Sequence, residues 1–475
     1  MAELPMGHDD SRSERRSIVP LALTVAVASF MQMLDSAVIA VALPDMARSF
    51  SVTAQELGIG ITAYVLAAAI VIPVGPWLAD RFGGRKLFIL ALLAFVVTSI
   101  FCGLSPSLPI FVLSRFLQGM AGALMGPVGQ LILVRSTERH ELLRVMNISS
   151  APMLLAPVIG PPLGGFIATY MGWPWIFYLN IPIGLAGALA AYQVLPDPRG
   201  EGQPFDYRGL LLSVMALGPM IFGLSELGGH QFPTMLALAL LGCGTAVACI
   251  AIGHFRRAAF PLISLQPAAN RTFALVTLIG APLARIPIAS LPFILPILLQ
   301  IGFGYSAFVS GLLFLGHTGG DLTMKPFVTR VFRTFGHRQV LIGCTIGMCL
   351  AIASCALFTR ETPLWLMAFT LYISGCFRSF LMAATGSLSF AELEQPHMAS
   401  ATTILQISIQ LSQALGISAV IAIFDLSLYS RGAVGIEPWD CQIALILISL
   451  LGLASCWPFL KLRMDVGAEQ SGYGR

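Results

Sequence analysis

Apolar stretches of about 20 residues alternate with short polar segments along the whole chain. A helix needs about 20 apolar residues to cross a bilayer, and backbone groups in hydrocarbon must be satisfied within their own segment, so each stretch predicts a membrane-spanning helix. The predicted fold class is therefore an all-α polytopic membrane protein. Its fourteen spans are predicted at residues 18–43, 57–79, 87–104, 109–134, 145–169, 174–195, 209–228, 234–254, 273–300, 306–325, 338–358, 363–387, 400–424 and 440–462.

The composition narrows the function class. The chain is 56% hydrophobic and 11% charged, whereas soluble domains carry about 25% charged residues, so a soluble enzyme is excluded. The net charge of +4 is too small to indicate nucleic-acid binding. The nine cysteines form no Cys-x-x-Cys pair and no metal-type Cys/His spacing, so no metal ion or other cofactor is expected.

The positive charges predict the orientation. Of the 27 lysines and arginines, 21 fall in the tails and loops of one side, three fall in loops of the other side, and three lie within spans. Because cytoplasmic loops are enriched in Lys and Arg, both termini are predicted to face the cytoplasm. Residues 1–17 are predicted to be a cytoplasmic tail, since the apolar run after them is too long for a cleavable signal.

A weak internal repeat divides the chain. Residues 82–89 (FGGRKLFI) resemble residues 335–342 (FGHRQVLI), 253 positions later, and both follow the second helix of a six-helix block. Repeated halves with a substrate site between them are typical of secondary transporters. The predicted domains are a six-helix bundle, a linker with two additional helices, a second six-helix bundle and a cytoplasmic tail, at 18–195, 196–272, 273–462 and 463–475.

Asp35 is a carboxyl group within the first apolar run. A charge there costs at least about 2.5 kcal/mol, and intramembrane acids are usually functional. Burial favours the neutral form of a carboxyl group, which would allow proton exchange. Arg115 of the fourth span is the predicted partner, because the two residues lie at matched depth. Each lies roughly 9–12 Å below the outer end of its own predicted span, at about 1.5 Å per residue. A permanently paired structural Asp35 is the alternative.

Two further segments carry polar or conformationally special residues. In PWLADRFGGRK, Asp80 is placed to pair with a helix end, Arg81 and Arg85 face the cytoplasm, and Gly83 permits a tight turn. An ordinary basic loop is the alternative for this segment. In the fifth span, prolines kink the helix and glycines allow close approach, which suits either a seal between halves or simple packing. The residues concerned are Gly160, Pro161, Gly164 and Gly165.

These segments together resemble the major facilitator superfamily, and within it the fourteen-span drug:proton antiporters of the EmrB/QacA type, including MdtD-like proteins. LDSAVIAVALP is similar to the first-helix signature, PWLADRFGGRK to motif A and RFLQG to motif B. GPPLGG is similar to the antiporter motif C, and WPWIFYLNIPIG to the start of the sixth helix. Pro76, Gly84 and Ala156 depart from the usual motif residues. The resemblance extends over essentially the whole chain and implies the major facilitator fold.

The resemblance also implies residue roles. Asp35 would carry the proton, and Arg115 would adjust how tightly Asp35 holds it. Arg115 would belong to motif B together with Gln118 and Gly119. Asp80, with Arg81, Gly83 and Arg85, would form the gating motif A. Gly160, Pro161, Gly164 and Gly165 would form the antiport seal of motif C.

Three further intramembrane charges bear on the substrate. Arg285 and Arg378 lie near mid-depth in their spans, where a charge usually faces a cavity, with structural pairing as the alternative. Asp321 is placed near the inner end of its predicted span, four residues before Lys325, where a local ion pair is the simpler interpretation. The three intramembrane arginines suggest that anionic or zwitterionic compounds could be accepted.

The predicted function is therefore proton-coupled efflux of small amphipathic compounds across the inner, cytoplasmic membrane, driven by the proton gradient. A proton symporter, an exporter of one metabolite and a non-transporting sensor on the same fold stay open as alternatives. The expected partners are a small-molecule substrate, protons and the lipid bilayer, without nucleic acid. No enzymatic activity is expected, because the chain has no visible nucleophile–base or metal cluster.

Overall fold

The computed structural model of the protein describes residues 18–137, 141–197, 204–226, 234–394, 397–432, 435–464 and 466–467. The predicted tail at residues 1–17, the linker residues 198–203 and most of the tail at 463–475 lie outside the described residues. The described part is helical throughout, with no β-strand. This confirms the predicted all-α class.

Within the described residues, the helices group into fourteen consecutive units. In the first bundle these are α1 (Ile18–Phe50), α2 (Ala54–Val71, continued by Ile72–Val74 and Gly75–Phe82), α3 (Gly84–Gly103), α4 (Leu108–Ser136), α5 (Leu142–Tyr170) and α6 (Pro174–Tyr178 and Asn180–Val194). Two more follow, α7 (Tyr207–Glu226) and α8 (Thr234–Arg257).

The second bundle begins with α9, which runs from Arg271 to Gly302 and contains the two π-helical stretches Ala274–Gly280 and Ile297–Gly302. The helix Ala307–Met324 continues through the tight turn Lys325–Phe327 into Val328–Ser354, which breaks at Gly336. We call the part before Gly336 α10 and the part after it, with Cys355–Leu357, α11. The remaining units are α12 (Leu364–Leu388), α13 (Met398–Arg431) and α14 (Pro438–Leu453 and Cys456–Leu460).

Eleven described helices are long and apolar enough to cross a membrane by length and composition. One of them, Ala307–Leu357, spans the break at Gly336 and therefore contains both α10 and α11. Leu155–Tyr170 of α5 and Tyr207–Gly223 of α7 are shorter apolar helices. Several helices extend beyond the predicted spans: α1 ends at Phe50 rather than residue 43, and α10 continues past residue 325.

The internal repeat extends over two complete helices of each half. At the same offset of 253 residues, α1 and α9 begin at Ile18 and Arg271, and α2 and α10 begin at Ala54 and Ala307. Thr53 and Ser306 both cap their helix through the side-chain oxygen. The tight turns at Ile72–Val74 and Lys325–Phe327 also coincide, each with a proline in second place.

The glycine turns of the repeat explain why both loops are so short. Gly83 has φ 92° and Gly336 has φ 72°, a region that residues with a Cβ rarely adopt. At each position the chain leaves one helix and enters the next within a single residue. The repeated glycine is therefore a backbone requirement of both halves.

In the described part of the chain, the two bundles meet chiefly where α5 packs on α10, α2 on α13 and α1 on α9. The additional pair is attached at this junction, because α7 packs on both α2 and α13 while α8 packs on α7. Consecutive helices run in opposite directions, so the molecule has two ends. We call the end with the loop at residues 51–53 the Ser51 end and the opposite one the Gly83 end.

Candidate functional site

Asp35 lies halfway along α1 and is 2% exposed. Its carboxylate receives a hydrogen bond from Arg115 Nη1 of α4 at 2.8 Å. Asn180 Nδ2 of α6 donates to Asp35 Oδ1 at 2.8 Å, and Gln118 Nε2 of α4 donates to the same oxygen at 3.2 Å. Because three side chains from two other helices surround one carboxylate, Asp35 is the point at which α1, α4 and α6 are joined.

A second layer of contacts holds these donors in place. Ser99 of α3 accepts hydrogen bonds from Gln118 at 2.8 Å and from Asn180 at 3.2 Å. Arg115 Nη1 also donates to Gln118 Oε1 at 2.6 Å, and its guanidinium lies 4.4 Å from the centre of the Tyr64 ring. A cation over an aromatic face is stabilised electrostatically. The arginine is thus fixed from two sides as well as by the carboxylate.

The structure brings Asp35 and Arg115 together, although the two residues lie at different distances from the ends of their helices, whereas the sequence predicted equal depths. Asp35 lies 15 residues from the end of α1 at Phe50, whereas Arg115 lies seven residues from the start of α4 at Leu108. Hydropathy locates the hydrocarbon part of a helix and misses turns that continue outside it. The third motif B residue, Gly119, allows close approach of α4 to the backbone carbonyl of Tyr64.

Asn180, Ser99 and Tyr64 were not identified from the sequence. Asn180 lies in WPWIFYLNIPIG, and a single Asn in an apolar run was the available signal. A hydroxyl or amide in a span is common, so its spacing alone does not indicate which helix it contacts. Packing of α6 against α1 and α3 supplies that information.

The motif A residues lie at the Gly83 end and contact the same half. Asp80 Oδ1 accepts from Arg135 Nη1 of α4 at 2.5 Å, and the Arg81 guanidinium lies 5.7 Å from the Trp77 ring centre. The Arg85 amide donates to Asp197 Oδ1 at 3.2 Å. A Cβ at Gly83 would lie 2.6 Å from that same carboxylate oxygen. The α2–α3 turn is therefore packed against the segment that follows α6.

The motif C glycines contact two different partners. A Cβ at Gly160 would lie 2.5 Å from Ala37 Cβ, and one at Gly164 would lie 2.7 Å from Val38 O, both on α1 of the same half. Gly165 instead meets the Ala307 carbonyl of α10, and the Pro161 carbonyl meets Gly311. The expectation that Gly160 and Gly164 join the two halves is thus corrected, because the helical period turns them toward α1.

The two halves touch near the Ser51 end. Gln300 Nε2 of α9 donates to Val41 O of α1 at 2.9 Å, and the Phe308 amide of α10 donates to Thr169 Oγ1 of α5 at 3.2 Å. These bonds accompany the Gly165 and Gly311 contacts. Beyond them, a cavity of about 710 Å³ opens at the Ser51 end, with Asp45, Arg48 and Tyr305 among its lining residues.

Asp321 and Arg378 pair with each other. Arg378 Nη1 donates to Asp321 Oδ2 at 2.5 Å, and Lys325 Nζ lies 3.4 Å from Asp321 Oδ1. Asp321 lies three residues before Met324, where the α-helix Ala307–Met324 ends and the tight turn Lys325–Phe327 begins, which agrees with its expected position near the end of its span. Neither Asp321 nor Arg378 lines the Ser51-end cavity, and neither does Arg285, since all three lie farther toward the Gly83 end.

Within the residues that the structure describes, no group of three or more His, Cys, Asp or Glu side chains could hold a metal ion. The described polar centres are instead ion pairs and hydrogen bonds between helices. Such centres can exchange protons or bind charged groups, and they stabilise one arrangement of helices relative to another.

Comparisons with known proteins agree on the family. A family model described as the Major Facilitator Superfamily matches residues 25–284. The chain is 32% identical over 433 residues to "Putative multidrug resistance protein MdtD" of Escherichia coli O6:H1 (strain CFT073), covering 91% of each chain. It is 34% identical over 439 residues to the protein of the same name in Salmonella paratyphi A, covering 89% of this chain and 92% of that one.

A solved structure gives the same fold. The bacterial homolog to the human lysosomal transporter Spinster, in an inward-facing and unoccupied conformation, matches with a TM-score of 0.64 at 16% identity. The match covers 93% of this chain and 97% of that chain. At this identity the likeness concerns the fold alone.

Proposed function

The chain belongs to the major facilitator superfamily, and from this premise we propose that it exports small amphipathic compounds in exchange for protons by alternating access. Its relatives at 32–34% identity carry the name of a multidrug resistance protein. Its apolar helices and those relatives make it a multi-pass protein of the inner membrane. The direction of transport, the proton coupling and the substrate are the content of the proposal.

The observation that carries the proposal is the enclosed Asp35 carboxylate. It is bound by donors from α4 and α6 and lies on the side of α1 that faces its own bundle. A carboxylate that loses its charge on protonation weakens its bond to a guanidinium, because charge-assisted hydrogen bonds are about twice as strong as neutral ones. Protonation of Asp35 would therefore loosen α1 from α4 and α6.

Movement of α1 would reach the junction of the halves directly. The same helix packs against α5 through Ala37 and Val38, and it accepts the hydrogen bond of Gln300 through Val41. Asp35 lies less than two helical turns from these three residues. Proton binding at Asp35 and opening at the Ser51 end would thus be coupled through one rigid helix.

The Gly83 end is proposed to face the cytoplasm, with both tails on that side and the bundles at 18–195 and 273–462 flanking α7 and α8. The basis is the excess of Lys and Arg at that end. Single cysteines at the exposed positions Ser51 and Lys86, in a background without the nine native cysteines, test this. An impermeant maleimide added to intact cells should label Ser51→Cys and spare Lys86→Cys; the reverse pattern would invert the topology.

Transport in proteoliposomes tests the coupling. A lipophilic cation such as ethidium, added to vesicles with an imposed proton gradient, should drive counterflow of protons in the wild type. Asp35→Asn keeps the size and fixes the neutral form, so proton flux should vanish, while Asp35→Glu should retain part of it. Asp45→Asn is the matched control, because Asp45 is a carboxylate of the same helix that pairs with the exposed Arg48.

The same assay separates the alternatives. A symporter would move substrate and protons in the same direction, and a sensor would move neither. Wild-type proton flux from Asp35→Asn would show that another residue carries the proton, with Asp321 the next candidate.

A further inference from the structure

The three arginines within the spans differ in how their charge is compensated. Arg115 is paired with Asp35 at 2.8 Å and Arg378 with Asp321 at 2.5 Å. Arg285 is 8% exposed, and its Nη1 atom is buried without a hydrogen-bond partner. In the part of the chain that the structure describes, no carboxylate forms an ion pair with Arg285. Its charge is therefore buried and uncompensated.

The neighbours of α9 indicate where Arg285 points. Ser290 donates to the Gly416 carbonyl at 2.9 Å, which marks the side facing α13. Pro287 lies against Gly452, where a Cβ would be 2.8 Å away, which marks the side facing α14. Residues two apart in a helix are rotated by about 200°, at 3.6 residues per turn. Arg285 therefore projects away from α14, toward the middle of the molecule.

The face of α9 that carries Arg285 is less buried than most of the helix around it. Within the α-helical stretch Ala281–Pro296, the residues at helical spacing from Arg285 are Pro282, Ala289 and Pro292, and all three are half-buried. Most other positions of this stretch are buried, among them Ala284 and Leu291. Because α9 packs on α1, α13 and α14, and Arg285 points away from α14, this less buried face lies toward the interface between the two halves, on the Gly83 side of the Gln300 contact.

The depth of Arg285 limits what could neutralise it. It lies 14 residues into the 32-residue run Arg271–Gly302, or roughly 21 Å along it at about 1.5 Å per residue. A phospholipid headgroup at the membrane surface does not reach that depth. An isolated charge at this position is costly, and such residues usually face a substrate pathway. A guanidinium presents paired donors that match the two oxygens of a carboxylate.

We propose that Arg285 binds the carboxylate of an amphipathic organic acid at the interface between the halves, so that the exported compounds include such acids. This inference rests on the proposed export function and adds the substrate class to it. Arg378 and Arg115 would not serve, because Asp321 and Asp35 already occupy them. The apolar part of the ligand would lie against the half-buried Pro282 and Pro292.

Thermal unfolding of the purified full-length protein in detergent tests the site. The probes are amphipathic carboxylates, each paired with its primary amide, with 2-naphthoate and 2-naphthamide as the first pair. Acids should raise the unfolding temperature, since a ligand that binds only the folded state stabilises it, and amides should do so far less. Arg285→Gln should raise the half-saturating concentration of the acids roughly tenfold or more, and Arg285→Lys should lose less.

Two controls separate binding from a structural role. Arg271→Gln removes an exposed arginine from the start of the same helix and should leave the acid response unchanged. Without any probe, Arg285→Met should unfold at a higher temperature than the wild type, because it removes an uncompensated buried charge. A lower unfolding temperature for Arg285→Met would mean that the arginine has a structural partner and would overturn the proposal.

The proposal is also overturned if no acid in the panel stabilises better than its amide, or if Arg285→Gln responds as the wild type does. Its failure can be distinguished from failure of the export function. If ethidium drives a proton flux that requires Asp35 and that persists in Arg285→Gln, the export function is supported, even when no acid stabilises the protein. Arg285-dependent binding of acids without proton flux for any compound would retain the site and reject the coupling.

Discussion

Removal of Arg115 is the sharpest test of the Asp35 centre. In Arg115→Met the carboxylate keeps the amides of Asn180 at 2.8 Å and Gln118 at 3.2 Å but loses the cation that pairs with it among the described residues. Breaking a buried ion pair by removing one partner costs about 3–5 kcal/mol. The two remaining donors, each worth about 1.5–3 kcal/mol to a charged group, place the expected loss near the lower end, at about 3 kcal/mol.

The double variant Asp35→Asn/Arg115→Met separates charge from packing. It removes both charges, keeps an amide that can bond to Asn180 and Gln118, and leaves a side chain of similar length beside Tyr64. We expect it to be within about 1–2 kcal/mol of the wild type, because replacing a buried pair by neutral groups is often close to neutral. Because Arg115→Met should cost about 3 kcal/mol and Asp35→Asn also leaves a buried charge unpaired, the two single losses should together exceed the loss of the double variant by at least about 2 kcal/mol.

The assay is unfolding of wild type, both single variants and the double variant in the same detergent, combined as a double-mutant cycle. Gln118→Leu is the matched control, since it removes a neutral donor to the same oxygen and should cost less than Arg115→Met. If the losses of the single variants simply add in the double variant, Asp35 and Arg115 do not stabilise each other. The carboxyl group would then be uncharged in the resting protein, and the switch proposed for Asp35 would be refuted.

Three further perturbations have defined outcomes. Gly164→Leu should abolish efflux while the protein stays in the membrane, because a side chain there would strike Val38 of α1, whereas Gly126→Leu, with open space around it, should transport normally; equal transport by both would show that the close packing of α5 on α1 is not needed for efflux. Gly83→Ala and Gly336→Ala should each lower the free energy of unfolding by about 1–2 kcal/mol because of their positive φ, while Gly343→Ala in α11 should not, as thermal unfolding can measure. Burial raises the pKa of the Asp206 carboxyl, but the amides of Gly209 and Leu262 and the ring of His254 lower it further, so the net pKa lies below its ordinary value. A carboxyl group with a lowered pKa stabilises the fold at pH values above its ordinary pKa, and this stabilisation is lost as the pH falls further. The wild type should therefore be more stable than Asp206→Asn near neutral pH, and the difference should shrink below about pH 4.

The sequence predicted the fold class and the existence of its helices better than their ends. Hydropathy records only the part of a helix that lies in hydrocarbon, and it therefore ended the first span at residue 43, although α1 continues to Phe50. The π-helical stretches of α9 have no hydropathy signal and were not predicted.

The charged residues of the candidate site could be predicted, because they interrupt apolar runs. The neutral residues that complete the site could not. Asp35 and Arg115 stand out because charges in apolar runs are rare. Asn180 and Ser99 do not, because single polar residues in spans are common, and only the packing of α6 and α3 directs them to Asp35. Likewise, the sequence contained three equivalent arginines, and only the coordinates distinguish the two that are paired from Arg285.

The internal repeat allows the positions of Asp35 and Arg285 in the two halves to be compared. At the offset of 253 residues, Arg285 of α9 corresponds to Gln32 of α1, one turn from Asp35, and Asp35 corresponds to Ile288. The first helix of each half thus carries one charge near its middle, but the signs are opposite and the surroundings differ. Asp35 faces its own bundle and is fully compensated, which suits a group that binds and releases a proton within one half. Arg285 lies toward the interface of the halves and is uncompensated, which suits a group that binds an anion reaching it from outside the protein. Because α1 and α9 contact each other through Val41 and Gln300, binding of a proton at Asp35 would affect binding at Arg285, and the reverse.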